Sequence, residues 1–368
     1  MQTTHPALIP QRIGAIELKN RLAVAPMSRV SASPDGTPTD EMTDYYRDFA
    51  HGGFGVVITE GTYTDTAHSQ GYLNQPGLAT DGHVEGWRRV VEAVHAAGAP
   101  VIAQLMHAGA LSQGNSHLVE SIAPSAITPR GEQLEEYGGS GGWPKPRELQ
   151  VGDIDSVVRG FVEAAVRAHA AGFDGVEVHA ANGYLLDQFL TDYTNARDDE
   201  FGGTVANRIR LTARVVAAIR GRLGSSFLLG VRLSQTKVND FTYRWPGGAA
   251  DAELIFAALT DADYLHIASE GRDFIDTARL PDGRTITAVA REVSGLPVMA
   301  NGGMHDLRQA AEVLDGGHAD LVSIGRGALA NPDLPARLVA GAELNRFDHA
   351  MLSPMATIAN ARAWHSAR

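Results

Sequence analysis

Eight short apolar runs recur along almost the whole chain, each separated from the next by a longer polar or helical stretch. The runs are rich in Val, Ile and Leu, and they cover residues 22–27, 55–60, 100–106, 175–179, 228–233, 263–268, 297–301 and 321–325. Apolar runs of this length predict strands that are buried on both faces, and their alternation with helices is typical of parallel βα units. This alternation limits the chain to a parallel α/β architecture.

Two of the intervening stretches show the spacing of an amphipathic helix. Residues 85–97 carry apolar side chains at helical spacing before Gly98, and residues 153–171 do the same before Gly172. Glycine is common directly after a helix ends, and aspartate is common at the N-cap. We therefore predict two helices over these ranges, the second capped by Asp153.

Eight βα units in one chain favour a closed (β/α)₈ TIM barrel over an open doubly wound sheet. No long linker divides the 368 residues, so we predict a single α/β domain over residues 1–368. An open dinucleotide-binding sheet calls for Gly-x-Gly-x-x-Gly after its first strand, but here that strand leads into Ser28-Arg29-Val30. Polar and glycine-bearing motifs recur after the strands, where barrel enzymes build their active sites.

The connection between the third and fourth predicted strands is much longer than the others. Residues 107–152 contain several prolines and the glycine-rich stretch 138–142, so no ordinary helix fills this segment. Loops of this length usually cover a site or are disordered, and we predict a flexible lid over the barrel. At the other end of the chain, the tail formed by residues 345–368 carries no motif that predicts a role.

Composition argues against several classes of function. The chain has 43 acidic and 31 basic residues, a formal net charge of −12 and no basic cluster, which disfavours nucleic-acid binding. It has no cysteine, and its 14 histidines show no metal-binding spacing, so neither a disulfide nor a metal site is predicted. The start of the chain lacks a signal-peptide pattern, and no apolar stretch approaches the roughly 20 residues of a membrane helix. We expect a cytoplasmic protein without a membrane partner, and the sequence leaves open whether it forms a homo-oligomer.

Two glycine motifs follow the seventh and eighth predicted strands. Residues 300–304 include Gly303, and residues 323–327 include Gly325 next to Arg326. Loops at these two positions of a barrel commonly bind phosphate, because glycines admit close approach and helix N-termini favour anions. Turning the chain is the alternative role of these glycines, but two motifs on adjacent strands, one with an arginine, favour a phosphate site.

Two polar side chains lie within apolar strands and need partners. Arg232 stands between Val231 and Leu233 on the fifth strand, and Gln104 lies on the third. A buried guanidinium or amide without hydrogen bonds costs free energy. An internal salt bridge from Arg232 to Glu177 would satisfy the guanidinium, and so would the polar edge of a bound flat heterocycle.

The fourth strand runs directly into His179, Asn182 and Tyr184. Taken singly, these residues are typical of a core histidine, a turn-forming asparagine and a packed tyrosine. Together at the carboxyl end of a strand, the first two can donate to one oxygen and stabilise negative charge on it. The phenol can then protonate a neighbouring carbon. The strand end therefore predicts chemistry on a polarised carbonyl.

Long ordered stretches of the chain resemble the Old Yellow Enzyme family of flavin-dependent ene reductases. The resemblance runs from residue 13 to about residue 333 and is most detailed over residues 18–29, 179–190, 195–203 and 207–208. It implies an FMN at the mouth of the barrel, held by residues on or after six of the strands: Pro26, Met27, Ser28, Gly61, Gln104, Arg232, Gly303, Gly325 and Arg326. Of these, Ser28 would face the flavin O4 and N5 edge, Gln104 the pyrimidine edge, and Arg232 the N1 and O2 edge.

The resemblance also implies a reaction in two halves. NADH or NADPH would reduce the FMN and leave, and an activated alkene, an α,β-unsaturated carbonyl or a nitroalkene, would then bind. His179 and Asn182 would hold its oxygen, flavin N5 would deliver hydride to the β carbon, and Tyr184 would protonate the α carbon. A flavin dehydrogenase or demethylase that oxidises a C–N or C–C bond is an alternative on the same scaffold, and a flavin-free phosphate-binding barrel is another.

The chain departs from the family pattern in two places that bear on the site. Ser28 stands where one branch of the family has threonine and another has cysteine. The glycine-rich segment around Trp143 matches no part of the family, so the resemblance does not predict the substrate.

Overall fold

The computed structural model describes residues 5–269, 274 and 278–367. Residues 1–4, on which part of the signal-peptide prediction rests, and Arg368 at the end of the tail lie outside the described residues. Within the described ranges, no helix is both long and apolar enough to span a membrane.

The described part of the chain contains thirteen strands, and eight of them form the barrel. They are β1 Gln11–Ile13, β2 Ile16–Leu18, β3 Leu22–Val24, β4 Val56–Ile58, β5 Thr62–Tyr63, β6 Val101–Met106, β7 Ile122–Ala123, β8 Arg147–Glu148, β9 Gly175–Asn182, β10 Leu228–Lys237, β11 Tyr264–Ala268, β12 Val298–Asn301 and β13 Leu321–Ile324.

The described helices follow most of the barrel strands and form the outer layer. They are α1 Asp40–His51, α2 Asp81–Ala96, α3 Val151–Ala171, α4 Leu185–Leu190, α5 Val205–Arg208, α6 Arg210–Leu223, α7 Ala249–Ala257, α8 Ile286–Ser294, α9 Leu307–Asp315, α10 Arg326–Ala330, α11 Leu334–Ala340 and α12 Ile358–Ser366. Short 3₁₀ helices cover Pro6–Leu8, Gly109–Leu111, Glu135–Tyr137 and His349–Leu352.

Eight parallel strands close into a barrel. Their order is β3, β4, β6, β9, β10, β11, β12 and β13, and β13 pairs back with β3. This order confirms the predicted single-domain (β/α)₈ barrel, and each predicted apolar run contributes one barrel strand. Some strand ends differ from the prediction: β3 already ends at Val24, and β10 continues to Lys237. Strand β4 pairs with the first part of β6, and the short strand β5 pairs with its end. The connection between β4 and β5, which includes Gly61, therefore interrupts this side of the barrel wall.

The interior of the barrel changes from apolar to polar along the strands. Near the strand starts, Leu228, Met299 and Leu321 form one buried cluster with Ile13 and Leu18 of the β1–β2 hairpin, which closes this end. The next inward positions carry polar side chains, such as Glu177 and Arg232, which are buried as well. Because the apolar end is closed by the hairpin, the carboxyl ends of the strands are the end of the barrel at which a site can form.

Two helix starts differ from the sequence prediction. Helix α2 begins at Asp81, four residues before the predicted start, because the Thr80 hydroxyl accepts the His83 backbone N–H and caps it. Asp153 is not the N-cap of α3: the helix begins at Val151, and the Asp153 carboxylate accepts the backbone N–H of Gln150 at 2.8 Å. An aspartate at the third helical position can cap a helix in this way. The prediction therefore named the right capping residue but placed it at the wrong position in the motif.

The long connection before α3 is built mainly of loop and short 3₁₀ turns. It crosses the barrel mouth and includes the two-residue parallel pair of β7 and β8. Helix α3 takes up its last two residues, so the excursion ends at Gln150. Trp143, which the sequence could not place, is 5 % exposed and packs with Tyr72 and Tyr184. The excursion therefore forms part of the wall above the strand ends.

Candidate active site

A cavity of about 390 Å³ opens at the carboxyl ends of the barrel strands. All twelve residues that the sequence predicted as functional line it: Pro26, Met27, Ser28, Gly61, Gln104, His179, Asn182, Tyr184, Arg232, Gly303, Gly325 and Arg326. A volume of this size is usual for sites that bind small molecules or cofactors. The structure brings these residues together, while their individual roles stay predictions.

A buried carboxylate lies at the floor of this cavity. Glu177 is fully buried on β9, and its Oε1 accepts the side-chain amide of Gln104 at 2.8 Å. Its Oε2 accepts the Tyr264 hydroxyl and Nδ1 of His266, both at 2.9 Å. The other ring nitrogen of His266 lies 2.8 Å from the Ser323 hydroxyl. Side chains from β6, β9, β11 and β13 thus form one hydrogen-bonded network across the barrel.

The Glu177 carboxyl is ionised in spite of its burial. Burial by itself raises the pKa of Glu177, but His266, Arg232 and Gln104 outweigh that effect and hold it at about 2. Burial lowers the pKa of His266, the Glu177 carboxylate acts in the opposite direction, and Nδ1 of the ring faces Glu177. The network therefore centres on one buried carboxylate that is surrounded by hydrogen-bond partners.

Arg232 lies between this network and the cavity. One guanidinium nitrogen is 3.4 Å from Nε2 of His266, and the other donates to Oδ1 of Asn301 at 3.4 Å. The Arg232 charge helps to lower the pKa of Glu177, the partner suggested by the sequence, while His266 makes the hydrogen bond of 2.9 Å to that carboxylate. The guanidinium also lines the cavity, so it can contact a group bound there.

Glycine at position 230 makes room for the network. Gly230 pairs with Glu177 on β9 and with Tyr264 on β11. A Cβ atom at this position would lie only 2.1 Å from Cζ of the Tyr264 ring. The missing side chain therefore lets the Tyr264 ring cross the barrel and reach Glu177. Sequence analysis missed Tyr264 and His266, because a tyrosine and a histidine in a buried strand carry no separate signal.

His179, Asn182 and Tyr184 project into the cavity at the end of β9. The strand was predicted to end at His179, but it continues to Asn182, which has a left-handed backbone with φ of +65°. Within the described ranges, Nδ1 of His179 and Oδ1 of Asn182 are buried atoms without a hydrogen-bond partner. Unsatisfied polar atoms of this kind are uncommon in proteins, and at a cavity wall they indicate a bound group.

His179 is a neutral donor rather than a cation. Burial and the nearby Arg232 charge lower its pKa to about 3. A neutral imidazole carries one N–H and can donate it to an oxygen without placing a positive charge in the cavity. The Tyr184 ring lies edge-on to the imidazole, with 5.1 Å between ring centroids, so the two groups face the same space.

A buried ion pair holds the turn that carries Asn182 and Tyr184. Lys237 Nζ lies 2.7 Å from Oδ1 of Asp187, and both side chains are almost completely buried. The other carboxylate oxygen of Asp187 accepts the backbone N–H of Gly183 at 2.7 Å. Gly183 has φ of +88°, so the turn needs glycine as well as this anchor. The ion pair therefore sets the direction in which the two flanking side chains point.

Aromatic side chains form the outer part of the cavity. The Tyr184 hydroxyl is hydrogen-bonded to the Tyr72 hydroxyl, and the Tyr72 ring packs on Tyr137 with 4.7 Å between centroids. Tyr137 belongs to the long excursion before α3 and lines the cavity. Together with Trp143 and Val238 they belong to one apolar cluster that reduces contact with water above Tyr184.

The segment after β3 forms the opposite wall and rests on a buried acid. The backbone N–H of Arg29, next to Ser28, donates to Oε2 of Glu60 at 2.8 Å, and the Tyr46 hydroxyl donates to Oε1 at 3.1 Å. Burial raises the pKa of Glu60 to about 7, against the lowering effect of these hydrogen bonds. The Arg29 guanidinium donates to the carbonyl of Thr357 at 2.6 Å, which ties the C-terminal tail to this wall.

The two predicted glycine motifs meet at the remaining side. Gly303 has φ of +67°, and Arg326 begins α10 directly after Gly325. A Cβ atom at Gly325 would stand in van der Waals contact with the Met27 sulfur, at 3.5 Å, on the cavity wall. Bare backbone beside an arginine suits a phosphate group.

Several cavity residues were not found by sequence reasoning. They come from loops or from the tail and share no motif with the strands: Leu134, Glu136, Tyr137, Phe241, Ser269, His305, His349 and Leu352. Their positions depend on how distant segments pack, so no local pattern predicts them. His305 is the exception, because it follows the Gly302-Gly303 motif directly and could have been included with it. Burial and the Arg326 charge lower its pKa.

The chain is similar to flavin oxidoreductases over nearly its whole length. The sequence profile of the NADH:flavin oxidoreductase / NADH oxidase family matches residues 8–345. A Leishmania infantum protein named "Probable flavin mononucleotide-dependent alkene reductase" is 36% identical over 351 residues, 93% of this chain and 93% of that protein. Rice (Oryza sativa subsp. japonica) 12-oxophytodienoate reductase 1 is 33% identical over 348 residues, 93% of this chain and 88% of the rice protein.

Solved structures show the same similarity. The old yellow enzyme homologue from Zymomonas mobilis superposes with a TM-score of 0.83 at 34% identity, covering 92% of this chain and 94% of that one. Morphinone reductase in complex with tetrahydroNAD superposes with a TM-score of 0.82 at 34% identity, covering 94% of this chain and 93% of that one.

The buried ion pair of Asp187 and Lys237, under the turn after β9, yields a stability prediction. Replacing Lys237 by Met leaves the Asp187 carboxylate buried without its cation, and we expect the free energy of unfolding to fall by about 3–5 kcal/mol. The double variant Lys237→Met/Asp187→Asn removes both charges and keeps an oxygen for the Gly183 N–H, so it should lose less. Urea unfolding followed by circular dichroism measures both. A double variant less stable than the single one would show that the pair does not act in this way.

The raised pKa of Glu60 predicts a pH-dependent stability. The folded protein holds the Glu60 proton up to about pH 7, whereas an ordinary glutamate loses it near 4.5. Its contribution is complete below pH 4.5 and is lost as the pH rises through 7, a change of up to about 3 kcal/mol. Glu60→Gln should reduce the loss in unfolding free energy between pH 5 and pH 8, while Glu85→Gln, at an exposed site, should not. Equal pH dependence in the wild type and Glu60→Gln would refute the assignment.

Proposed function

The chain belongs to the NADH:flavin oxidoreductase / NADH oxidase family, the family of Old Yellow Enzyme, and from this premise we propose that it is an FMN-dependent ene reductase. It uses NADH or NADPH as reductant and takes an activated alkene, an α,β-unsaturated carbonyl or a nitroalkene, as substrate. The observation that carries the proposal is that His179, Asn182 and Tyr184 line the same cavity as the glycine and arginine motifs, where Nδ1 of His179 is buried without a partner in the described part of the chain. On the sequence grounds given above, we also propose a cytoplasmic location.

The relatives support the class of substrate and the reductant. The Leishmania relative is named as an alkene reductase that depends on flavin mononucleotide, and morphinone reductase was solved with tetrahydroNAD. The full set of cavity residues that the family resemblance predicted is present in this chain around one space. This agreement favours alkene reduction over the dehydrogenase and demethylase alternatives.

The cavity residues fit an FMN. Gly303, Gly325 and Arg326 would hold its phosphate, since they offer bare backbone and a fixed positive charge. Gln104 and Arg232 would face the polar edge of the ring. The remaining predicted residues would line the ring itself: Pro26, Met27, Ser28 and Gly61. When bound, FMN supplies the transfer of hydride from the nicotinamide to the alkene.

Arg232 would carry the positive charge next to the polar edge of this cofactor. It is 4 % exposed and lines the cavity. A buried guanidinium stabilises negative charge on a group that it contacts. The N1 and O2 edge of a reduced flavin carries such a charge, so Arg232 would favour the reduced form.

His179 and Asn182 would hold the oxygen of the substrate. A neutral imidazole and an amide both donate a hydrogen bond, and two donors on one oxygen stabilise the negative charge that forms as the alkene accepts hydride. Their positions are fixed before substrate arrives, because β9 holds His179 and the Asp187–Lys237 pair holds the turn after Asn182. This preorganisation lowers the barrier without a structural change.

Tyr184 would supply the proton to the α carbon. Its hydroxyl shares a hydrogen bond with the Tyr72 hydroxyl, which fixes its direction. The apolar cluster around both tyrosines reduces contact with water, so the phenol rather than bulk solvent is the acid next to the substrate.

The cofactor assignment is tested by the colour of the purified protein. We expect flavin absorbance bands, and we expect FMN to restore them after it has been removed. Arg326→Gln should weaken FMN binding about tenfold or more, since it removes a charge-assisted donor to the phosphate. Arg308→Gln, which changes an arginine that is 90% exposed, should leave it unchanged. A colourless protein that does not take up FMN would contradict the proposal and favour the flavin-free phosphate-binding barrel.

The role of Tyr184 is tested by separating the two half-reactions. Under anaerobic stopped-flow conditions, Tyr184→Phe should slow flavin reoxidation by an enone by about 10²–10⁴-fold, the usual contribution of a general acid. Flavin reduction by NADH or NADPH should be spared, because it needs no proton from this residue. Tyr193→Phe, outside the cavity, is the matched control. An equal fall in both half-reactions would exclude Tyr184 as the proton donor, and rapid flavin reduction by an amine with no alkene turnover would favour the dehydrogenase alternative.

A further inference from the structure

A second cleft of about 410 Å³ lies beside the carboxyl end of β10. Its wall is formed by the end of that strand, the segment before α7 and the turn before α8: Gln235, Arg244, Trp245, Gly248, Arg279, Leu280 and Pro281. None of these residues lines the active-site cavity. The proposed reductase function therefore gives this cleft no role.

Two buried donors in this cleft have no partner. Gln235 is 3 % exposed, and its Oε1 accepts the backbone N–H of Trp245 at 3.2 Å, so its amide nitrogen faces the other way. Within the described ranges, that nitrogen and the indole nitrogen of Trp245, which is also 3 % exposed, have no hydrogen-bond partner. A buried donor without a partner is unfavourable, so two together in one cleft indicate a bound acceptor.

Two arginines give the cleft a positive charge. Arg244 donates to the backbone carbonyls of Phe241 and Tyr243, at 3.2 and 2.7 Å, and Arg279 donates to the carbonyl of Gly283 at 3.1 Å. These acceptors are neutral, and in the described part of the chain no carboxylate lines the cleft. Burial also lowers the pKa of Arg244 in spite of the nearby Asp240, as expected for a cation that lacks a full counter-charge.

We propose that this cleft binds an oxyanion, a phosphate or carboxylate group carried by a small molecule. Arg244 and Arg279 would neutralise its charge, and the free N–H groups of Gln235 and Trp245 would donate to its oxygens. Every unsatisfied group in the cleft is a donor, which matches an acceptor-only ligand and not a neutral amide or alcohol. Leu280 and the Trp245 ring provide apolar surface for the rest of the molecule.

The proposal is tested with inorganic phosphate and acetate as probes on the protein as purified. Indole N–H signals of the four tryptophans are followed by ¹⁵N NMR, and Trp245→Phe identifies the signal of Trp245. We expect one of the probes to shift that signal saturably, and the tighter-binding probe identifies the ligand group as phosphate or carboxylate. Isothermal titration calorimetry gives the affinity.

Three variants locate the binding. Gln235→Glu keeps an oxygen for the Trp245 N–H but places a negative charge in the cleft, so binding should be lost. Arg279→Gln should weaken binding about tenfold, through loss of one charge-assisted hydrogen bond. Arg308→Gln, at an arginine that is 90% exposed, should have no effect.

Clear results would overturn the proposal. It is wrong if neither anion shifts the Trp245 signal, if binding persists in Gln235→Glu, or if binding is lost only in Arg326→Gln, which would assign it to the active-site cavity. The readout uses neither flavin absorbance nor alkene turnover. Failure of this proposal is therefore distinguishable from failure of the proposed function.

Discussion

The ionised carboxylate of Glu177 organises the whole polar half of the barrel interior. A charge with no exposure to water must be surrounded by donors, and here Gln104 reaches it from β6 and Tyr264 and His266 reach it from β11. These bonds fix the His266 ring, whose second nitrogen then faces Ser323. The floor of the cavity is thus held rigid by the hydrogen bonds that this buried charge requires. The side chains that line the cavity above it rest on this rigid floor.

A second buried charge does the same for the substrate side of the cavity. The Asp187–Lys237 pair lies under the turn after β9, and its carboxylate holds the Gly183 N–H. Burying two ions rarely adds stability over apolar residues, so the pair is better explained by position than by stability. It keeps Asn182 in a left-handed backbone conformation that few side chains adopt readily, and asparagine is one of those few. Strain at this position is consistent with a functional site.

Local patterns predicted the barrel and the polar and glycine-bearing residues of the cavity, whereas Pro26, Met27, Ser28 and Gly61 were expected there only from the family resemblance. Strand-like apolar runs and the polar residues that follow them are read from neighbouring positions, and parallel strands bring their ends together in any closed barrel. Contacts between distant segments were not predictable: Arg29 meets Thr357 of the tail, and His349 reaches the cavity wall. The end of β9 was misplaced because Asn182 is typical of turns, yet here it pairs with Lys237 on β10. The position of Asp153 within the capping motif of α3 was also mispredicted. It depends on the neighbouring Gln150 being the N-cap, which the sequence alone does not show.

In the proposed function, the positive charge of Arg232 acts both on His179 and on the bound flavin. Burial and the Arg232 charge lower the pKa of His179 to about 3, which favours a neutral imidazole at neutral pH. The same positive charge would favour a flavin that has gained electrons. A protonated His179 would bring a second buried cation next to Arg232, which costs free energy. In the proposed function, a neutral His179 would donate a hydrogen bond to the substrate oxygen, and the charge of Arg232 would face the ring. Stabilisation of charge and donation of a hydrogen bond would thus fall to two neighbouring side chains whose protonation states suit these tasks.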